Sequence, residues 1–200
     1  MGKTKIAIQG ELGAYSHIAA ESLYKEAEIK TCATFEETFK CAYNDQNFKI
    51  VIPIENSLAG RVADIHYLLP KYKLQIHGEH FQTVEHNLLC KREASIDDIK
   101  FVRSHAQAIG QCQNMINKRK FKPIISADTA GSAKDLAEGE DKSIAAIASE
   151  LSAKIYNLKI LEKNIEDEKG NVTRFLIMGK NIEQPELNKN KKFITSCIFR

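Results

Sequence analysis

Four polar motifs, each placed where an apolar run ends, carry side chains able to bind and activate a small polar molecule. Pro53-Ile54-Glu55-Asn56-Ser57-Leu58-Ala59-Gly60 closes one run and Ser104-His105-Ala106-Gln107-Ala108 closes another. Asp128-Thr129-Ala130 and Asn171-Val172-Thr173-Arg174-Phe175 complete the set. Glu55, Asn56 and Ser57 set a carboxylate, an amide and a hydroxyl side by side, with Gly60 leaving room for an approaching ligand. Asn56 or Ser57 can also cap a helix before Val62, and capping and ligand binding draw on the same free amides. Ser104 to Ala108 follows the same logic, with His105 open between a site residue and a structural polar group. Thr129, at a helix start, offers a hydroxyl and a backbone N–H to a carboxylate. Arg174 can form a bidentate pair with a carboxylate, which lysine does less well, and Phe175 points to the opposite strand face as packing. A fifth segment, Gly10-Glu11-Leu12-Gly13-Ala14-Tyr15-Ser16, pairs permissive glycines with Ser16 as a helix cap, a loop suited to an anion. His17 has no ligand-spaced neighbour and is expected as a solvated histidine on a helix face.

Alternating strands and helices must carry these motifs. Lys5 to Gln9 is expected as a strand, followed by a helix on Ala19, Leu23 and Ala27. Thr34 to Glu37 has capping-box spacing before a helical face of Phe35, Phe39, Ala42 and Tyr43. Lys49 to Ile54 is a β-branched strand, Val62 to Leu69 a helix stopped by Pro70, and Leu74 to Leu89 one extended stretch. Phe101 to Arg103, Phe121 to Ala127, Ile144 to Ala148, Leu158 to Leu161 and Val172 to Met178 are the later strands. Between them lie helices on Ile109, Cys112 and Ile116, on Thr129 to Leu136, and from Ser149. This β/α order predicts parallel sheets flanked by helices, and open sheets of that kind bind ligands where strands end and helices begin.

The bulk numbers narrow the class of function. Two hundred residues suffice for one large domain or two small lobes, and 43% hydrophobic with 28% charged residues is ordinary for a soluble globular chain. A net charge of +3, from 29 basic against 26 acidic residues largely interspersed, argues against nucleic-acid binding and suits a mildly positive cleft for an anion. No apolar run approaches the ~20 residues of a membrane helix, and the start lacks a signal peptide's apolar stretch, so a cytoplasmic protein is expected. Cys32, Cys41, Cys90, Cys112 and Cys197 are odd in number and widely spaced, a pattern of reduced, small apolar residues and not of zinc or disulfides.

Glu55-Asn56-Ser57-x-x-Gly60, Ser104-His105-x-Gln107-Ala108 and Thr173-Arg174-Phe175, in that order, resemble prephenate dehydratase over roughly residues 4 to 180. The family departs at Leu12 and Ala106, where it often or usually has proline, which concerns loop rigidity. The resemblance implies an α/β fold of two lobes of mainly parallel sheet flanked by helices, similar to type II periplasmic binding proteins, with the site in the inter-lobe cleft. It implies a catalytic domain over 1–180, with lobe one about 1–80 plus 166–180 and lobe two about 81–165. It further implies a linker over 181–192, and over 193–200 the first strand of a regulatory ACT domain largely missing from the chain. A homo-oligomer, dimer or tetramer, is expected, with a small-molecule substrate as partner.

Prephenate carries a ring carboxylate, a pyruvyl carboxylate and a C4 hydroxyl. Loss of carbon dioxide as that hydroxyl departs makes the ring aromatic. The site therefore has to orient the substrate and help the hydroxyl leave, and it needs neither metal nor cofactor. By family analogy Thr173 hydrogen-bonds the leaving hydroxyl. Its own pKa makes it a poor full proton donor, and Glu55 or a histidine is open as the source. Thr173, Glu55 and Ser57 are the catalytic candidates. Ser16, Asn56, His105, Gln107, Thr129, Asn171 and Arg174 are the substrate-binding ones. Arogenate dehydratase, whose substrate differs in having an ammonium for the keto group, is the alternative, and Gly131 and Ser132 lie where that difference can be sensed. A non-catalytic small-anion binding module of the same fold is a second alternative.

Overall fold

The computed structural model describes residues 3–181; the expected strand over 193–200 and all but the first residue of the expected linker lie outside them. The first sheet holds β1 (Lys5–Gln9), β2 (Glu28–Cys32), β3 (Phe48–Asn56), β4 (Gly60–Arg61) and β5 (Gln75–Thr83). Helices α1 (Tyr15–Leu23), α2 (Phe35–Asn44) and α3 (Ala63–Tyr72) connect them. The second sheet holds β6 (Asn87–Cys90), β7 (Phe101–His105), β8 (Lys122–Ser126), β9 (Ile144–Ala148) and β10 (Lys159–Glu162). Its helices are α4 (Ala106–Gly110), α5 (Gln113–Arg119), α6 (Thr129–Glu138) and α7 (Glu150–Ile155), after which β11 (Val172–Gly179) returns to the first sheet. The strand orders are β2-β1-β3-β11-β5, with β4 paired to β3, and β10-β6-β9-β7-β8.

Both sheets are mixed, a detail the alternation alone does not carry. β1 runs parallel to β2 and β3, but β11 lies antiparallel between β3 and β5. In the second sheet β7 is parallel to β8 and β9, while β6 is antiparallel to β9 and β10. The chain crosses between the sheets at Val84–His86, inside the stretch expected to be one extended run, and again ahead of β11. β2 was not anticipated, because Glu28-Ile29-Lys30-Thr31-Cys32 is a polar edge strand with little apolar signal.

Central strands are apolar on both faces because both are covered. On one face Ile6, Ile8, Val51, Phe175 and Ile177 pack against Ala19 and Ala20 of α1. On the other, Ala7, Ile50, Ile52, Leu176 and Met178 pack against Phe39, Ile65 and Leu68 of α2 and α3. This alternation puts Thr173 on the face of Phe175 and Arg174 on the face of Leu176. Pro53, inside β3, sits where the register with β11 shifts, so the ladder does not need its missing N–H. Pro70 does not end α3, which runs to Tyr72 and closes with Lys73 in the left-handed region at φ 49°. Near a helix end the proline removes a single i→i−4 bond, and the buried Leu69 and Tyr72 hold the last turn.

Candidate active site

The carboxyl ends of β1, β3, β7 and β8, the start of β11 and the first crossover surround a cavity of about 390 Å³ between the sheets. It is lined by seven of the ten candidates: Ser16, Asn56, His105, Gln107, Thr129, Asn171 and Thr173. Phe35, Pro53, Val62, Val84 and Phe175 supply apolar wall. A slightly larger hollow of about 450 Å³ beside β2 and α2 gathers none of the motifs.

Asn56 is the hub. Its Oδ1 accepts from the backbone N–H of Leu58 (3.1 Å) and Ala59 (2.9 Å), so its Nδ2 is the end that faces the site. That nitrogen donates to Asn171 Oδ1 at 2.6 Å and to Thr173 Oγ1 at 2.9 Å. β11 pairs Thr173 with Asn56 in register, which brings together residues 117 positions apart. Thr173 Oγ1 receives a hydrogen from Asn56, and among the described residues no acceptor takes its own hydrogen, which is left for a ligand. Asn171 Nδ2 donates to Gln111 Oε1 at 3.0 Å, and His86 Nε2 meets the same oxygen at 2.9 Å. His86 Nδ1 lies 3.0 Å from the Tyr15 hydroxyl, which donates to the Glu85 carbonyl at 2.7 Å. Burial lowers the His86 pKa from its ordinary value and raises that of Tyr15, keeping both neutral near pH 7.

The sequence reading missed Tyr15, His86 and Gln111, all of which line the cavity. Gln111 stands four residues after Gln107, a helical spacing that could have flagged it. His86 carries no local signal, because its place follows from the crossover.

Three candidates lie elsewhere. Arg174, expected to grip a carboxylate, faces away from Thr173 and is tied to Glu79 at 2.7 Å through both Nε and Nη2, with its guanidinium 6.0 Å from the Phe81 ring. Glu55 is exposed on the strand face opposite Asn56, which removes it from the cavity as a proton source. Ser57 spends its hydroxyl on the backbone, donating to the Gly170 carbonyl at 3.2 Å and accepting from Val172 N–H at 3.0 Å. The motif around these residues is a hairpin turn into β4 and not a helix cap. Gly60 has φ +78°, and the turn requires that conformation, whatever room it leaves for a ligand.

Ser16 lies within α1, not at its cap, and donates to the Gln9 carbonyl at 3.1 Å. His17 is buried, accepts from Gly13 N–H at 3.0 Å and faces Glu21 at 3.3 Å, contrary to the solvated placement expected of it. His105 both caps α4, its Nδ1 accepting from Gln107 N–H at 3.3 Å, and lines the cavity. Asp128 caps α6 by accepting from Gly131 N–H at 2.6 Å, which leaves the first-turn amides beside Thr129 free. Among the described residues no lysine or arginine lines the cavity, and no group of three or more His, Cys, Asp or Glu side chains could hold a metal ion. The site is built from neutral donors: amides, hydroxyls and a helix start.

Residues 6–183 match the prephenate dehydratase family. The chain belongs to that family. A prephenate dehydratase relative from Arabidopsis thaliana, arogenate dehydratase/prephenate dehydratase 2, is 39% identical over 98% of this chain and 51% of its own length. A bifunctional N-acyl-homoserine lactone acylase/prephenate dehydratase from Komagataeibacter europaeus is 38% identical over 100% of this chain and 70% of its own length. Among solved structures, the prephenate dehydratase of Staphylococcus aureus is 29% identical, with a TM-score of 0.76 over 90% of this chain and 67% of that one. The chain spans about half the length of several of the curated relatives it matches. No helix of the described residues is long and apolar enough to cross a membrane.

Proposed function

We propose that this chain converts prephenate to phenylpyruvate, with Thr173 hydrogen-bonding the departing C4 hydroxyl. The observation that carries the reading is the bond from Asn56 Nδ2 to Thr173 Oγ1, which leaves the threonine hydrogen free in the cavity. Phe35, Val62 and Phe175 offer the ring an apolar wall, and the donors of Gln111, His105 and the start of α6 suit the two carboxylates. With no cation lining the cavity among the described residues, the ring carboxylate meets no counter-charge. That favours its loss as carbon dioxide.

The proposal includes a catalytic unit over 1–180 whose lobes divide near 80 and 166, supported by the strand membership of the two sheets. It also includes a linker over 181–192 and the opening of an ACT domain over 193–200. A cytoplasmic setting accords with the free Cys32, Cys41, Cys90 and Cys112. A homo-oligomer accords with β5, an edge strand with Phe81 60% exposed. Arogenate is the second substrate to test, since relatives at this identity are named for both activities. The deciding experiment follows phenylpyruvate absorbance with purified protein and prephenate, beside arogenate and phenylalanine formation. Turnover of neither compound would overturn the proposal in favour of a binding module.

A further inference from the structure

We propose that His86 is a positioning residue that locks the Gln111 side-chain amide with its NH2 toward the cleft, making Gln111 a donor to a carboxylate or keto oxygen. The orientation of every amide in the chain of bonds follows from its Asn56 end. At one end, two backbone N–H groups fix Asn56 Oδ1, so Asn56 can only donate to Asn171 Oδ1. Asn171 must then donate to Gln111, whose facing atom is Oε1. An amide oxygen cannot donate, so His86 Nε2, 2.9 Å away, carries the imidazole hydrogen. At the other end, burial keeps the imidazole neutral, which leaves Nδ1 bare, 3.0 Å from the Tyr15 hydroxyl; the single hydrogen of that hydroxyl is shared between Nδ1 and the Glu85 carbonyl at 2.7 Å. The tautomer is therefore set from the Asn56 end, through Gln111.

The consequence lies on the cavity side. Gln111 Oε1 accepts two hydrogen bonds, one from His86 and one from Asn171, so both its lone pairs are engaged. Its NH2 has no protein partner among the described residues and is not sealed from the cavity that Gln111 lines. Without His86, rotation of the Gln111 amide would lose one bond fewer, and the residue would present a mixture of donor and acceptor. Identifying the acceptor as prephenate rests on the dehydratase reading; the bond directions do not.

Three substitutions separate positioning from packing. His86→Gln carries an NH2 near the position of Nε2 and restores the donor to Gln111 Oε1. His86→Asn is too short to reach it, and His86→Leu has no donor. For variants of matched thermal midpoint, KM for prephenate should rise about tenfold, the scale of one lost hydrogen bond, in His86→Asn and His86→Leu. It should stay close to wild type in His86→Gln. Equal behaviour of His86→Gln and His86→Leu, or a wild-type KM in His86→Leu, overturns the proposal. Nitrogen-15 NMR of the wild-type imidazole is the second arm. The neutral form protonated at Nε2 is expected, and an Nδ1-protonated form overturns the lock. If the protein does not turn over prephenate, the dehydratase reading fails while the NMR result still decides the lock.

Discussion

At the scale of single residues, Thr173 and Arg174 are neighbours in sequence with unrelated environments. Thr173 is buried on the cleft face, its oxygen held by Asn56, whereas Arg174 is half-buried on the other face with Glu79. Thr173→Val should lower kcat and kcat/KM together by ~2–4 kcal/mol, as for other lost transition-state donors. Arg174→Ala should leave both near wild type and cost at most ~1 kcal/mol of stability, the usual worth of a partly exposed ion pair. Steady-state kinetics and urea unfolding of the two variants check this. Wild-type rates in Thr173→Val would remove its catalytic assignment. His86 adds a pH dependence. Its folded pKa lies below the ordinary 6.5, so below that pH the unfolded chain binds more protons and stability is lost as pH falls. His17 and His77 are lowered in the same sense, so the loss should shrink, not vanish, in His86→Gln. Thermal midpoints measured downward from pH 7.5 test the difference.

At the scale of elements, two short turns position the site, and their glycines do different work. Gly60 turns β3 into β4 at φ +78°, with nothing within 4 Å of where a Cβ would stand. Gly13 has φ +92°, and a Cβ there would run into Ser152 of α7. Its carbonyl accepts from Ser149 Oγ at 2.6 Å and Ser152 Oγ at 3.1 Å. Gly60→Ala should therefore cost ~1–2 kcal/mol through the left-handed backbone alone. Gly13→Ala should cost more, because it adds a clash to the same strain. Urea unfolding ranks them, and an equal cost would show that α7 yields without resistance.

At the scale of the whole molecule, the Glu11–Gly13 loop of the first sheet is the bridge to the second. Besides the serine contacts, Tyr156 donates to the Leu12 carbonyl at 2.9 Å and Lys134 pairs with Glu11 at 3.2 Å. These bonds join α6 and α7 to the entry of α1, on which Tyr15 and Ser16 lie, so the cleft is set by contacts between the sheets as much as within them. The described residues hold no metal-ligating cluster, and the donors around the cavity are neutral. Activity should persist in full after exhaustive chelation and dialysis. Loss of activity with recovery on added zinc or magnesium would sink the metal-free mechanism.

Most of the order of strands and helices, β2 and the break between β5 and β6 excepted, was legible in the sequence because apolar periodicity is local. β9 and the Ser149 cap fall where the residues put them, and three of the four motifs lie where a strand ends, whereas Asn171 to Phe175 opens β11. Asn56, Asn171 and Thr173 could be named together from their types and order. The facing of each side chain could not, since in a strand it depends on parity and on which neighbour pairs in which register. That parity separates Thr173 from Arg174 and Asn56 from Glu55. Only the tertiary structure brought Tyr15, His86 and Gln111 to one chain of hydrogen bonds. They come from a helix entry, a crossover and a helix break, and no periodicity within one segment records contacts among three.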